Sequence, residues 1–223
     1  MIKEKLKRGT IPYKIYLYFN IFVRYYFFHR NRKTFSQFGE DLFITDFFEN
    51  QEKGKYVDLG AFHPMRLSNT YLLYKKGWTG TNVDLNPISI DLFNIARNDD
   101  NNICALISDQ NNVLKNAYFE NAWSAANSIV ASDDLPFKKE MKTETFNNLV
   151  NHDFDFLNID LEGADYEALQ SLDFQKYRPG IICIEINEQK VLNSKIFKYL
   201  FERNYEMIWS SKSNFSHIFI KKT

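Results

Sequence analysis

From Thr34 onward, short apolar runs alternate with stretches whose apolar positions recur at helical spacing. Residues 55–59 (KYVDL), 80–84 (GTNVD), 103–107, 154–159 and 181–186 read as strands, and runs at 205–209 and 216–220 bring the number to seven. Helices are predicted over 69–76, which Ser68 can cap, over 164–172 and over 194–203, and Pro87 opens another at its first turn. This alternation predicts an α/β fold: a mostly parallel, seven-stranded sheet with helices on both faces. Residues 110–145 break the rhythm, with many Asn, Ser and Ala and no clear strand. They read as an irregular functional loop or lid.

Ahead of this region, residues 11–28 (IPYKIYLYFNIFVRYYFF) are the most apolar stretch, but Lys14, Asn20 and Arg24 interrupt it. No run reaches the length needed to span a bilayer. Tyr and Phe interleaved with Lys and Arg suit a membrane interface, where rings sit at headgroup depth. A helix packed on the rest of the chain fits the same pattern. Two segments are therefore expected: a basic, aromatic helical arm over 1–33 and one domain over 34–223.

Charge sharpens that division. The chain is formally neutral, yet residues 1–33 hold nine Lys/Arg against the single acid Glu4, leaving the remainder at a net of minus eight. A basic arm on an acidic body points to an anionic surface as the arm's partner. The body has no character of a nucleic-acid binder. Hydrophobic content is that of an ordinary folded domain, which excludes a disordered chain and a multispan membrane protein. Cys104 and Cys183 each lie in a short apolar run and are expected to be buried free thiols. With no small-residue cleavage site after the apolar stretch, a cytoplasmic location is expected, peripheral to the inner face of the membrane.

Three strand ends carry the candidate chemistry. Asp58, Gly60 and Ala61 close the first strand, and a Gly there lets backbone approach a ligand at the sheet's switch point. The following Phe62-His63-Pro64-Met65-Arg66 lacks the further glycines that a dinucleotide's pyrophosphate needs. The loop suits an adenosine without phosphates, such as S-adenosylmethionine. Asp84, at the end of the second strand, can accept both ribose hydroxyls. Asp160 and Glu162 follow the fourth strand, and Glu185 ends the fifth amid Cys183, Ile184 and Ile186. Converging there, they can hold a hard divalent cation such as Mg or Mn, or raise one another's pKa to make a base. His63 is a further candidate for catalysis or metal ligation, or it shapes the loop with Pro64. In the insert, Trp123, Ser124 and Asn127 combine a ring with small polar groups, which suits a sugar acceptor.

Taken in order, Ser36-Gln37-Phe38-Gly39-Glu40-Asp41, the segment 57–61 with His63-Pro64, Ser68-Asn69-Thr70, Gly77-Trp78-Thr79-Gly80, Asp84-Leu85-Asn86-Pro87 and the segment 159–164 resemble the FkbM family of methyltransferases. The resemblance runs from about Thr34 to Ile186. It implies a Rossmann-like class I methyltransferase fold, S-adenosyl-L-methionine as cofactor and O-methylation of sugars, polysaccharides or polyketide-type metabolites. It further implies that Asp58, Gly60 and Ala61 line the methionine side, that Asp84 with Leu85 meets the ribose, and that Ser108 and Asp109 lie near the adenine. Gln37 and Asn69 join the same pocket. The expected enzyme is an O-methyltransferase acting on a sugar hydroxyl of a nucleotide sugar or surface polysaccharide. A nucleotide-dependent oxidoreductase, and a catalytically silent membrane-surface scaffold, are the competing readings.

Overall fold

The computed structural model describes residues 5–121, 123, 127–128, 133–188, 190–213 and 215–222. Helix α1 (Ile11–Phe19) passes through a π-helical stretch, Asn20–Tyr25, into α2 (Tyr26–His29), and α3 (Glu40–Phe47) follows. The central region runs β1 (Lys55–Leu59), α4 (Tyr71–Lys75), β2 (Thr79–Asp84), α5 (Pro87–Ala96), β3 (Asn101–Cys104) and β4 (Leu106–Ile107). Then come β5 (Leu114–Phe119), β6 (Asn127–Ser128), β7 (Phe137–Glu144), α6 (Phe146–Leu149) and β8 (Phe156–Ile159). The chain closes with α7 (Asp165–Gln170), β9 (Ile181–Glu185), α8 (Lys195–Phe201), β10 (Tyr205–Ser210) and β11 (Ser216–Lys221).

Local signals place these elements as expected. Pro87 lies in the first turn of α5, where its missing N–H costs nothing, and Asn86 caps that helix by accepting from the Ile88 amide at 2.9 Å. Ser68 Oγ accepts from the Tyr71 amide at 3.1 Å at the start of α4, and Ser194 caps α8 through the Phe197 amide.

A seven-stranded sheet has the order β10-β11-β9-β8-β1-β2-β3, parallel except for β11, which runs against both its neighbours. The strand order reverses between β1 and β8, so the crevice beyond their carboxyl ends is the switch point. Alternate side chains serve opposite faces. Val57, Leu59, Leu157, Ile159, Ile182 and Ile184 pack with α6, α7 and α8, while Tyr56, Phe156, Ile181 and Cys183 pack with α3, α4 and Trp78.

The described residues of 110–145 do not form an irregular loop. β5 and β7 pair antiparallel from Leu114↔Lys142 to Phe119↔Phe137, and with β4 and β6 they make a second sheet. The apolar signal is weak because β7 (FKKEMKTE) is charged at most positions and largely exposed. The predicted strand 103–107 is split: the chain leaves the large sheet after Cys104 and enters the small one at Leu106. Cys104 is exposed rather than buried, whereas Cys183 is buried as expected; both are free.

The arm packs on the domain. Tyr13, Leu17 and Ile21 meet Ile88 and Leu92 of α5, with Met65 and Trp123 against the same cluster. Arg8 grips Asp91 with two bonds, of 2.6 and 2.8 Å, and the Tyr13 hydroxyl donates to the same carboxylate at 2.7 Å. The opposite face, including Ile11, Ile15, Tyr18, Phe22 and Tyr26, is exposed. Among the described residues no helix is long and apolar enough to cross a membrane.

Candidate active site

The loop leaving β1 is held in a left-handed conformation at three places: Gly60 (φ 79°), Phe62 (φ 52°) and Leu67 (φ 52°). The amides of Gly60 and Ala61 both donate to the Val83 carbonyl, at 2.9 and 3.1 Å, and the Asp160 amide donates to Leu59 at 2.9 Å. The backbones after β1, β2 and β8 thereby meet at the switch point. A small cavity of about 90 Å³ opens there, and Gln37, Gly60, Asn69, Asp160 and Glu162 all line it. Five residues singled out in the sequence thus converge on one cavity. Glu40, Phe62, Leu67 and Ser216 complete its wall. Ser216 belongs to the reversed strand β11, opposite Glu185 in register, and no local signal marks it.

The early motif serves its own turn. Glu40 accepts from the Phe38 amide at 2.8 Å, and Asp41 collects the Thr34 hydroxyl, the Ser36 hydroxyl and the Phe35 amide at 2.6–2.7 Å. Gln37 is carried to the cavity by that knot.

Three acids form the chemical centre. Oxygens of Asp160, Glu162 and Glu185 lie within 4.8 Å of one another. The turn that brings Glu162 round is left-handed at Glu162 and Gly163, and Asp165 secures it by accepting from the Leu161 and Gly163 amides at 2.8 and 3.0 Å. Asp160 faces the cleft but is crowded by protein. Desolvation first, and then the charge of Glu185, hold its carboxyl well above the usual carboxylate range. Desolvation also pushes Glu185 up to about 7, with Glu162 and Asp165 adding repulsion, and it raises Glu162. Carboxyls this close cannot all ionise freely, so one proton is retained between Asp160 and Glu185 near neutrality. The arrangement can take a proton from a hydroxyl, and its oxygen donors suit a hard cation.

Other sequence candidates occupy supporting places. Asp58 points into the protein, where Thr70 Oγ1 donates to one oxygen at 2.7 Å and the Asn158 amide to the other at 2.8 Å; burial raises its pKa. Asn69 donates to Asn158 at 2.8 Å and so joins this chain of bonds to the cavity. Asp84 accepts from the Phe62 and Asn86 amides at 2.8 and 2.6 Å, and burial lifts it to about 6. Ribose hydroxyls reaching Asp84 must share or displace these donors. The Leu85 carbonyl faces the Cys104 thiol at 3.6 Å. The Ser108 hydroxyl lies 3.0 Å from Asp109 and 2.9 Å from Glu167, at the junction of the small sheet with α7.

His63 stands apart from the acids. Its Nδ1 accepts from the Met65 and Arg66 amides at 3.1 Å, and its ring lies 4.2 Å from that of Tyr25. It shapes the loop and meets the arm, so the candidate metal and base set loses it. Trp123 also turns to the arm, its ring 5.2 Å from Tyr16 and 6.0 Å from Tyr13. Asn127 is buried in β6, and its neighbour Ser128 donates to the Glu162 carbonyl at 2.6 Å, which places the small sheet against the acid loop. Ser124 lies outside the described residues.

One residue that sequence reasoning missed organises the region. Arg97 is fully buried and donates to the Pro64 carbonyl, to Ser68 Oγ at 2.9 Å and to Thr70 Oγ1 at 2.8 Å. It ties the β1 loop to the Ser68-Asn69-Thr70 motif. In Ala-Arg-Asn-Asp-Asp it looks like an ordinary exposed helix-end cation.

Residues 58–207 match the methyltransferase FkbM domain. No curated protein matches the chain. Among solved structures, methyltransferase FkbM from Methylobacillus flagellatus KT superposes with a TM-score of 0.53 at 11% identity, over 76% of this chain and 44% of that one. The chain thus spans less than half the length of that protein. A TehB-like SAM-dependent methyltransferase from Corynebacterium glutamicum ATCC 13032 Kitasato gives 0.48 at 15% identity, covering 89% and 94% of the two chains. The O-methyltransferase from Bacillus cereus in complex with SAH gives 0.47 at 11% identity, covering 99% and 96%. The expected class I architecture is present, and the match over 58–207 makes this chain a member of the FkbM methyltransferase family, with the fold of SAM-dependent methyltransferases.

Proposed function

We propose that this chain transfers the methyl group of S-adenosylmethionine to a sugar hydroxyl, in a nucleotide sugar or a surface polysaccharide. The observation that carries the reading is the grouping of Asp160, Glu162 and Glu185 within 4.8 Å of one another, with Asp160 and Glu162 on the cavity that Gly60 lines at the switch point. A sugar hydroxyl is a poor nucleophile at neutral pH. S-adenosylmethionine, when bound, would supply a methyl group activated by its sulfonium, which the sugar oxygen would take up as the neutral thioether leaves. The hydroxyl proton passes to the Asp160–Glu185 pair. Gln37, Gly60 and Asn69 are assigned to the cofactor, and Asp84 to its ribose once the two amides now bound to it give way. The small sheet, with Asn127 and the neighbouring Trp123, is assigned to the acceptor side.

The same acids have the donor chemistry for Mg or Mn, which would lower the hydroxyl's pKa directly. Their mutual spacing favours this as the second reading. Incubation with S-adenosylmethionine and a panel of nucleotide sugars, read by mass spectrometry for a methyl increment, tests the activity. A methylated sugar supports it. If no acceptor gains a methyl group while S-adenosylhomocysteine still raises the melting temperature, the silent scaffold gains. A larger shift with NAD or NADP points to the oxidoreductase.

The arm is assigned to the anionic inner face of a membrane, with the domain on the cytoplasmic side. Support comes from nine Lys/Arg against one acid in residues 1–33, and from the exposed aromatic face opposite the one that packs on α5.

A further inference from the structure

Beside the acid-lined cavity lies a larger one of about 440 Å³ whose wall includes Arg24, Arg32 and Arg66, together with Tyr25, Phe35 and Ser36. The three arginines come from separate places: the π-helical stretch of the arm, the segment after α2, and the loop after β1. Among the described residues no carboxylate pairs with any of them, in contrast to Arg8, which Asp91 neutralises. Each guanidinium leans on a ring instead, Arg24 over Tyr25 at 5.6 Å, Arg32 over Phe28 at 5.0 Å and Arg66 over Phe62 at 5.8 Å. Stacking of this kind holds the planar forks without consuming their donors. Like charges brought round one cavity repel unless an anion joins them.

The position of this cavity matters as much as its charge. Leu67 lines both it and the acid-lined cavity, and Phe62, under the Arg66 guanidinium, lines the latter. A third cavity of about 100 Å³ shares Arg24, Tyr25 and Arg66 and is lined by the buried Asn20, whose side-chain oxygen has no partner among the described residues. Buried polar atoms are costly to leave unbonded, and a ligand hydroxyl can satisfy this one. S-adenosylmethionine carries no phosphate, and its one anionic group is the methionine carboxylate.

We infer that Arg24, Arg32 and Arg66 form a phosphate subsite for the methyl acceptor, taking the diphosphate of a nucleotide-activated or lipid-linked sugar whose hydroxyl lies across the Phe62–Leu67 loop at the acids. The assignment of the sugar rests on the function proposed above; binding of a phosphate does not. Guanidinium forks match phosphate oxygens two at a time, which a lysine cannot do.

Calorimetric titration of the full chain with inorganic pyrophosphate and with UDP tests the subsite. Vesicles containing phosphatidylglycerol test whether the phosphate belongs to a lipid. Wild type is expected to bind pyrophosphate and UDP, and R24Q and R66Q each to weaken both by about tenfold. R66K is expected to retain part of the binding, and S-adenosylhomocysteine affinity is expected to stay unchanged in all three. Arg-dependent capture by vesicles without binding of the soluble probes supports the same chemistry with a lipid as source. Failure of wild type to bind the soluble probes and the vesicles alike, or binding that R24Q and R66Q leave unchanged, overturns the subsite. Because these probes need neither cofactor nor methyl transfer, that failure is distinguishable from failure of the methyltransferase reading.

Discussion

The carbonyl oxygen of Asp160 stands where a side chain at Gly60 would begin: a Cβ placed on Gly60 would lie 1.7 Å from it. Gly60 also has φ 79°, which side chains rarely adopt. Gly60→Ala must therefore push the acid-bearing segment away from β1. The expected cost is about 3 kcal/mol from overpacking and backbone strain, read by chemical denaturation. S-adenosylhomocysteine binding should fall with it. Wild-type stability in the variant would show that the two loops are not in contact.

Glu185→Gln and Asp160→Asn should each lower kcat by on the order of 10²- to 10⁴-fold, with cofactor affinity affected far less. Neither should destabilise the fold at neutral pH, because each removes one of several repelling carboxylates. Equal losses in cofactor affinity and kcat would move these acids from the acceptor to the cofactor.

The pH dependence follows from Glu185, raised to about 7. The base form predominates only above that value, so kcat/KM should rise as pH increases through about 7. Stability runs the other way. A carboxyl that is harder to ionise in the folded state stabilises it below the unfolded pKa, and that contribution is lost as pH rises through the folded value. The stability of Glu185→Gln relative to wild type should therefore increase between about pH 4.5 and 7. A flat difference across that window would mean that Glu185 ionises normally.

Exhaustive chelation should leave turnover unchanged if the acid pair is the base. Loss of activity that Mg or Mn restores would assign the acids to a cation instead.

On the arm, Ile15 and Phe22 are 64% and 53% exposed and face away from α5. Replacing both with Asp should abolish co-sedimentation with anionic vesicles and leave the melting temperature nearly unchanged. Deleting residues 1–33 cannot make this test, because it also strips Tyr13, Leu17 and Ile21 from the cluster with Ile88 and Leu92. Undiminished vesicle binding by the double variant would remove the aromatic face from the contact.

Much of the architecture was legible along the chain because its signals are local. Strand β9 opens with a continuous apolar run, Ile181 to Ile184, and Asn86-Pro87 starts α5 with a cap and a preset φ. The acids were legible for an energetic reason: Glu185 beside Ile184 and Ile186 is costly unless something needs it there. The small sheet was not legible, since Lys and Glu fill β7 and its pairing depends on β5, with partners from Phe119↔Phe137 to Leu114↔Lys142. Nor does the sequence say that Asp58 turns inward to Thr70 and Asn158, that Arg97 is buried beneath the β1 loop, or that His63 faces Tyr25 rather than Asp160. Arg24, Arg32 and Arg66 meet only because the arm docks on α5. Hydrophobic periodicity records which face of an element is buried. The partner of a polar group is set by segments far apart in the chain, and only packing brings those together.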